Sequence, residues 1–398
     1  MNTHRRLLIV GASVRAAAQS ARRGGFEVSA IDLFGDADLT TVADHVQSTH
    51  YPRDLARLAG ALPPMPWLYT GGLENHPRAL AALSTHGERL GNGPDALRCV
   101  RSPRRLARLL QRHGLRFPAI RACARSADLP IDGSWLIKGR RSTGGNRVRG
   151  WFGTGRRHSQ RDCYFQQRIS GRSYSALYLA ANGRAELVGV CRQIIGARWA
   201  GARDFRYAGS IGPLPLDPLL LAQFRRIGEV LAGQCGLVGL LGVDAVVRGD
   251  EVWTVEVNPR YTASAELYER AGACSLVGAH VEACRGHRPP SDVALGSATR
   301  RRRTPAQIQG KAIVYARHTL AVNEALAASW RAAWQRAPWP RLADVPVAGS
   351  TIAQGWPVLT VLASGSCTSQ VRERLRQQAA RIAAQLRSAS AAAPPKTL

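Results

Sequence analysis

The stretch Val238–Ser264 reads VGLLGVDAVVRGDEVWTVEVNPRYTAS, two alternating strands around the polar turn Arg248-Gly249-Asp250. The first strand carries Asp244. The second carries Glu256 and Asn258, followed at once by Pro259 and Arg260. Residues two apart on a strand share a face, so Glu256 and Asn258 point the same way. If the turn closes a hairpin, Asp244 reaches that face from the neighbouring strand. Two carboxylates and an amide oxygen converging there suit a hard divalent cation such as Mg2+, which prefers oxygen ligands. Arg260 then lies beside whatever the metal holds. The competing reading is a surface hairpin with solvated carboxylates. The Val, Leu and Trp flanks argue against it, because a carboxylate in such a strand is costly unless it is paired or metal-bound.

The chain has 398 residues, enough for two or three domains with developed cores. Its net charge is +28, from 55 Lys+Arg against 27 Asp+Glu. Almost all of that base is arginine; the only lysines are Lys138, Lys311 and Lys396, so an interior lysine at 138 carries weight. Such a charge favours polyanionic partners such as nucleotide phosphates or a poly-acidic substrate, or reflects an arginine-rich composition spread over all surfaces. The basic residues lack interleaved aromatics and no helix-turn-helix pattern stands out, so nucleic acid is not expected as a partner. The 8 cysteines form no CxxC pair and no zinc spacing, which predicts reduced core residues in a cytoplasmic protein. The apolar run near the start, Leu7 to Val10, is too short for a signal peptide. No stretch is long enough to span a bilayer.

Outward from the opening stretch, the N-terminal segment predicts strand, helix, strand: Arg6 to Val10, Val14 to Arg23 and Phe26 to Leu33, the start of an open α/β sheet. Asp32 ends the second strand where a dinucleotide fold places its ribose acid, but the glycine fingerprint is incomplete, which argues against such a cofactor. The strand Trp67 to Thr70 runs into Gly71-Gly72-Leu73-Glu74-Asn75. Ligands gather at such strand ends, so Glu74 and Asn75 are substrate-contact candidates; helix capping by Asn75 is the alternative. Arg89 to Arg98 (RLGNGPDALR) looks like a domain boundary. Trp135 to Lys138 is a strand followed by Gly139 to Arg147, a glycine-rich loop of the kind whose N–H groups approach phosphates and which is also often a plain hairpin turn. Tyr164 to Ile169 is a strand. A hairpin is expected through Asn182-Gly183 and a helix over Pro218 to Cys235. A helical stretch from Glu266 to His287 precedes an arginine-rich linker over Arg288 to Pro305. Beyond it, a strand bears Lys311, alternation marks Val345 to Leu362, and an amphipathic helix covers Ser369 to Arg387.

Taken in order, a strand lysine, a glycine-rich loop, a strand breaking at Gly171, Asp244 and Glu256-Val-Asn258-Pro-Arg260 resemble the ATP-grasp superfamily. Within it the likeness is to carboligase-like proteins related to biotin carboxylase and the carboxylate–amine ligases. The resemblance implies an α/β fold (α+β ATP-grasp) in three parts. These are an N-terminal Rossmann-like pre-ATP-grasp domain over 1–97, an ATP-grasp domain over 98–290 and a small C-terminal β/α closing domain over 306–388, with a disordered tail at 389–398. It further implies that Lys138 contacts the phosphates of ATP and that Ser142, Thr143, Gly144 and Gly145 close over them. Gln166, Gln167, Arg168 and Ile169 would hold adenine. Asp244, Glu256 and Asn258 would bind Mg2+ (or Mn2+), and Arg260 would steady the activated carboxylate. The chain departs from the pattern at Gln166, Gln167 and Ser173, where acids are usual. It also has arginines, Arg101, Arg104 and Arg105, where a second lysine is usual.

The implied activity is an ATP-dependent ligase that activates a carboxylate as an acyl phosphate and couples it to an amine. The implied partners are small-molecule acids and amines, and a homodimer is left open. Arg192, Gln193 and Tyr207 are candidates for the acceptor site, with Arg203 and Ser210 beside them; a solvated basic β-layer is the alternative for any single arginine. By analogy with relatives that make C1-carrier cofactors of the tetrahydromethanopterin or methanofuran type, a glutamyl substrate would match the charge. The alternatives are a biotin-carboxylase-like carboxylase and a non-catalytic nucleotide-binding protein.

Overall fold

The computed structural model describes residues 5–122, 129–153, 162–272, 274–287, 307–334 and 339–391. The basic segment expected as a linker at 288–305 lies outside them. The N-terminal unit is a four-stranded parallel sheet of β1 (Arg5–Val10), β2 (Phe26–Asp32), β3 (Asp44–Gln47) and β4 (Trp67–Tyr69), in the order β3-β2-β1-β4. Leu7 to Val10 are all fully buried, as a parallel strand covered on both faces requires. Asp32 is used structurally: its carboxylate accepts from the N–H groups of Val14, Phe34 and Gly35 and meets His45.

A second four-stranded sheet joins β5 (Ile120–Ala122), β6 (Trp135–Gly139), β7 (Val148–Gly150) and β8 (Cys163–Gln167). The largest sheet has eight strands, with β9 (Arg172–Ala181), β10 (Arg184–Ile195), β11 (Tyr207–Gly212), β12 (Gly239–Arg248) and β13 (Glu251–Asn258) at one end. β14 (Ile308–Tyr315), β16 (Leu342–Ala343) and β18 (Pro357–Gly365) continue it in the order β13-β12-β9-β10-β11-β14-β18-β16. β15 (Leu320–Ala321) and β17 (Thr351–Ile352) form a separate ribbon. The strands after residue 307 thus extend the sheet that carries Asp244, through antiparallel β11–β14 pairing.

The large sheet is covered on two faces, and the alternation along β9 shows how. Ala176, Tyr178 and Ala180 pack into the core beneath the helix Pro218–Cys235; Leu177, Leu179 and Ala181 pack into the core shared with the N-terminal unit. The helix starts where Asp217 accepts the Leu219 N–H at 2.8 Å with Pro218 in its first turn, and stops at Gly236 in the left-handed region. The opposite face is covered at one end by Ala265–Arg270 and Leu276–Cys284. Sequence alone reads these as one helix. They are two because Ser275 caps the second, accepting the Gly278 N–H at 3.0 Å. The final helix, Thr368–Ala391, outruns the expected start of the tail at 389.

One further expectation changes. Cys99, Cys163 and Cys235 are disulfide-bonded, the first and last to each other, so the cysteines are not uniformly reduced core residues. The Cys99–Cys235 pair satisfies the approach that bridging requires, with Cα atoms 5.7 Å apart. Arg89 to Arg98, expected as a boundary, also fastens the N-terminal side to the large sheet. Asn92, 1% exposed, donates to the carbonyls of Val238 and Pro259 and accepts the Val238 N–H at 2.9 Å.

His280 fixes the helix Leu276–Cys284 between units: Nδ1 accepts the Leu240 N–H at 2.8 Å, which leaves Nε2–H to donate to the Leu90 carbonyl at 3.1 Å. Burial pushes its pKa down from 6.5 to about 4. A depressed histidine stabilises the fold above its unfolded pKa, and that contribution is lost as pH falls through the folded pKa. Urea unfolding of wild type should therefore lose stability between pH 6.5 and about 4 through this residue. His280→Asn should have a shallower slope there; identical slopes would show that His280 is not the titrating group.

Candidate active site

Asp244 and Glu256 are direct partners in the antiparallel β12–β13 register, and Asn258 pairs with Gly242. A bulge follows Asp244, a feature that re-aims side chains. The three expected metal-ligand side chains meet on one face and line one cavity of about 960 Å³. Asn258 Nδ2 donates to Asp244 Oδ2 at 3.1 Å, and Gln193 Nε2 donates to Asp244 Oδ1 at 2.9 Å. Burial, then repulsion from Glu256, pushes the Asp244 carboxyl up to about 6. Burial also opposes the charge on Glu256, but Arg101 and Lys138 outweigh it and hold the carboxyl below its ordinary range.

Each cation comes from a different element. Arg101 follows the helix Pro94–Val100 and donates to Glu256 Oε1 at 2.7 Å and to Asn75 Oδ1 at 2.6 Å. Of the three arginines that replace the usual second lysine, this is the one that reaches the carboxylates. Lys138, on β6, is buried and donates to Gln166 Oε1 at 3.0 Å. Burial works against its charge, yet Tyr164 and Glu256 raise its pKa. Arg260 meets Glu74 Oε1 at 2.9 Å and donates to Asn258 Oδ1 at 3.2 Å. The second oxygen of Glu74 is buried without a partner among the described residues.

The glycine loop lies across the cavity. Asn75 Nδ2 donates to the Ser142 carbonyl and to Thr143 Oγ1, each at 3.3 Å, and the Tyr207 N–H donates to the Gly144 carbonyl at 3.0 Å. Gly145 has φ +77° and a Cβ there would overlap the Phe205 carbonyl, so only glycine lets the loop come this close. Gln166, Gln167, Arg168 and Ile169 line the same cavity.

The acceptor candidates divide by strand alternation. Gln193, Tyr207 and Ser210 line the cavity, with the Tyr207 hydroxyl 2.9 Å from Ser210 Oγ. Arg192 is adjacent to Gln193 on β10 and so faces the other way; neither it nor Arg203 is among the lining residues. Glu74 and Asn75 act through Arg260, Arg101 and the loop. Sequence reasoning missed Ser175, which hydrogen-bonds Asp244. It also passed over Arg15, Lys311, Asp344 and Thr360, which line the far end of the cavity. The scarcity of lysine that singled out Lys138 applies equally to Lys311.

The ATP-grasp domain family matches residues 102–264. Residues 102–264 form an ATP-grasp domain. The formate-dependent phosphoribosylglycinamide formyltransferase of Nitratidesulfovibrio vulgaris is 41% identical over 58 residues, which is 15% of this chain and 15% of that protein. The fold likeness extends further. N5-carboxyaminoimidazole ribonucleotide synthetase in its ADP complex superposes with a TM-score of 0.66 at 16% identity, over 96% of this chain and 98% of the other. The biotin carboxylase domain dimer of Hydrogenobacter thermophilus 2-oxoglutarate carboxylase, with MgADP and bicarbonate, superposes with a TM-score of 0.67 at 12% identity, over 95% and 90%. The ATP-grasp domain therefore holds Asp244, Glu256, Asn258, Arg260 and Lys138, while Glu74, Asn75 and Arg101 reach it from the N-terminal side.

The Arg260–Glu74 pair is buried, at 11% and 2% side-chain exposure. Glu74→Ala leaves a buried guanidinium short of its counter-ion and should cost about 3 kcal/mol in urea unfolding. An unchanged midpoint would mean that Asn258 and the Tyr261 carbonyl hold Arg260 unaided.

Proposed function

We propose that the chain is an ATP-dependent carboxylate–amine ligase. The observation that carries this is the convergence of Asp244, Glu256 and Asn258 with Lys138, Arg260 and a glycine loop on one cavity. The donor set fits Mg2+. Among the described residues no three His, Cys, Asp or Glu side chains group as a metal site. Two carboxylates and an amide oxygen instead match an ion that keeps waters and substrate phosphates as its remaining ligands. The raised Asp244 carboxyl marks a place where a cation would relieve repulsion. In this reading ATP is the co-substrate that converts a carboxylate into an acyl phosphate, the electrophile an amine attacks, while Mg2+ neutralises phosphate charge.

The chain's own residues bind and orient. Lys138 and Arg101 supply fixed positive charge beside the carboxylates. Arg260, clamped by Glu74, Asn258 and the Tyr261 carbonyl, holds a fixed positive charge toward the anionic substrate. Arg101 donates to Glu256, a carboxylate that would hold the cation together with Asp244 and Asn258. The glycine loop, tied to Asn75, excludes water. A glutamyl acid, in a pathway that makes a C1-carrier cofactor, is the finer reading. It is supported by the +28 charge and by cations at the Arg260 end. A cytoplasmic setting goes with that reading; among the described residues no helix is long and apolar enough to cross a membrane.

The test is ADP release from Mg-ATP with arrays of carboxylic acids and amines. Turnover requiring both, and lowered about a hundredfold or more in Glu256→Gln, is expected. Turnover driven by bicarbonate alone would favour the carboxylase. Nucleotide binding with no turnover under any supply would favour a non-catalytic binder.

A further inference from the structure

The cavity is also lined by residues from three parts of the chain: Arg15 after β1, Ser264 after β13, and, from the C-terminal part, Lys311 and Thr360 on strands and Asp344 just after β16. Two cations, Arg15 and Lys311, meet three carboxylates, Asp38, Glu266 and Asp344, within ion-pair distance. Both cations are paired with Glu266, Lys311 Nζ at 2.8 Å, and Arg15 Nε also donates to Asp344 Oδ1 at 2.9 Å. Exposure separates the five. Arg15 is 1% exposed, Asp38 0%, Glu266 6% and Lys311 4%, but Asp344 is 25% exposed. Arg15 and Lys311 also line this end of the cavity, but the Asp344 carboxylate is the most exposed of the five charged groups.

A carboxylate has about four acceptor positions. Thr360 Oγ1, at 2.5 Å, and Arg15 Nε take one each on Asp344, so acceptor capacity remains. Independently, the hydroxyl of Tyr261, a cavity-lining residue, is buried without a hydrogen-bond partner. Asp344 is held in place rather than free to turn away: its own N–H donates to Asp38 Oδ2 at 2.9 Å and its φ is +54°. A phosphate or carboxylate entering here would face Asp344 with both cations already engaged, which is a built-in rejection.

We propose that this end binds an alkylammonium group with Asp344 as its counter-ion, so that the amine substrate carries a cationic handle as well as its reacting nitrogen. The inference rests on the ligase reading for the word substrate, and on the cavity alone for the ligand class. An ammonium has no lone pair, so the nitrogen held at Asp344 is not the one that attacks. The selected class is a diamine or similar molecule whose second, unprotonated nitrogen lies toward Arg260. The cavity is then polarised, with anionic groups received at Lys138 and Arg260 and a cationic group at Asp344.

The test compares putrescine, 1,4-butanediol and succinate, which share a four-carbon spacing and differ in charge. Binding is followed by calorimetry at constant ionic strength with the nucleotide end loaded with ADP and Mg2+. Wild type should bind putrescine roughly tenfold or more tightly than either analogue. Asp344→Asn should erase that preference and leave ADP affinity unchanged. Succinate binding more tightly than putrescine in wild type would overturn the proposal, whether or not the variant folds. So would putrescine affinity untouched by Asp344→Asn. If ADP fails to bind, the ligase reading falls; the same series without nucleotide then supports or overturns the Asp344 site by the same order of affinities.

Discussion

Asp244 and Glu256 stand directly opposite each other on neighbouring strands. Like charges so placed repel, and burial multiplies the cost. Much of the site is an answer to that constraint. Arg101 comes from the end of a helix, Lys138 from a strand of a different sheet, and Arg260 from the turn after β13. Each is held by a second partner, Asn75, Gln166 and Glu74 respectively. These partners lie in the N-terminal unit and the small sheet. The carboxylate pair therefore ties three parts of the chain together, and on the proposed reading it is also the pair that would hold a divalent cation.

Total charge is a poor guide to what happens inside. The +28 arises mostly from arginines, and charge of that size speaks to solubility and association more than to any one site. In the interior the balance is local. Glu256 is outnumbered by cations and stays ionised; Asp244, buried, repelled by Glu256 and held by the amides of Gln193 and Asn258, is pushed up to about 6. At the far end of the cavity three carboxylates, Asp38, Glu266 and Asp344, meet Arg15 and Lys311, and only Asp344 among the carboxylates reaches the wall. A strongly basic chain thus places a partly exposed carboxylate in its cavity wall, which no composition count could show.

The elements with strong local signals were legible in the sequence. The β12–β13 hairpin, the Asn182-Gly183 hairpin and the helix Pro218–Cys235 follow from alternation, turn chemistry and capping residues. The carboxylates were legible because charged residues in apolar strands need a reason. The rest depends on contacts between distant residues. Asn75 can cap a helix or bond the glycine loop, and only the fold decides. Arg192 and Gln193 are equally polar on paper, and the register of one strand sends them to opposite faces. Asp344 sits in a short, featureless segment; its role exists only because β16 is brought beside Arg15, more than three hundred residues away.

The segment Arg89 to Arg101 shows what composition leaves out at such places. Gly, Asn and Pro mark a linker when backbone groups are left to water. Here Asn92 instead satisfies buried backbone at both ends of the β12–β13 stretch, at Val238 and Pro259. Buried N–H and C=O groups must be paired somewhere, and an asparagine side chain offers a donor and an acceptor together. Cys99 adds a covalent tie to Cys235, the residue that ends the helix before β12. Two residues later Arg101 reaches Glu256. Three fastenings within ten residues all converge on the same hairpin, so this connection fixes the distance between the N-terminal unit and the carboxylates. Arg101 therefore meets Glu256 from a segment fastened on both sides, and on the proposed reading any cation held at Glu256 would have to share that carboxylate with it.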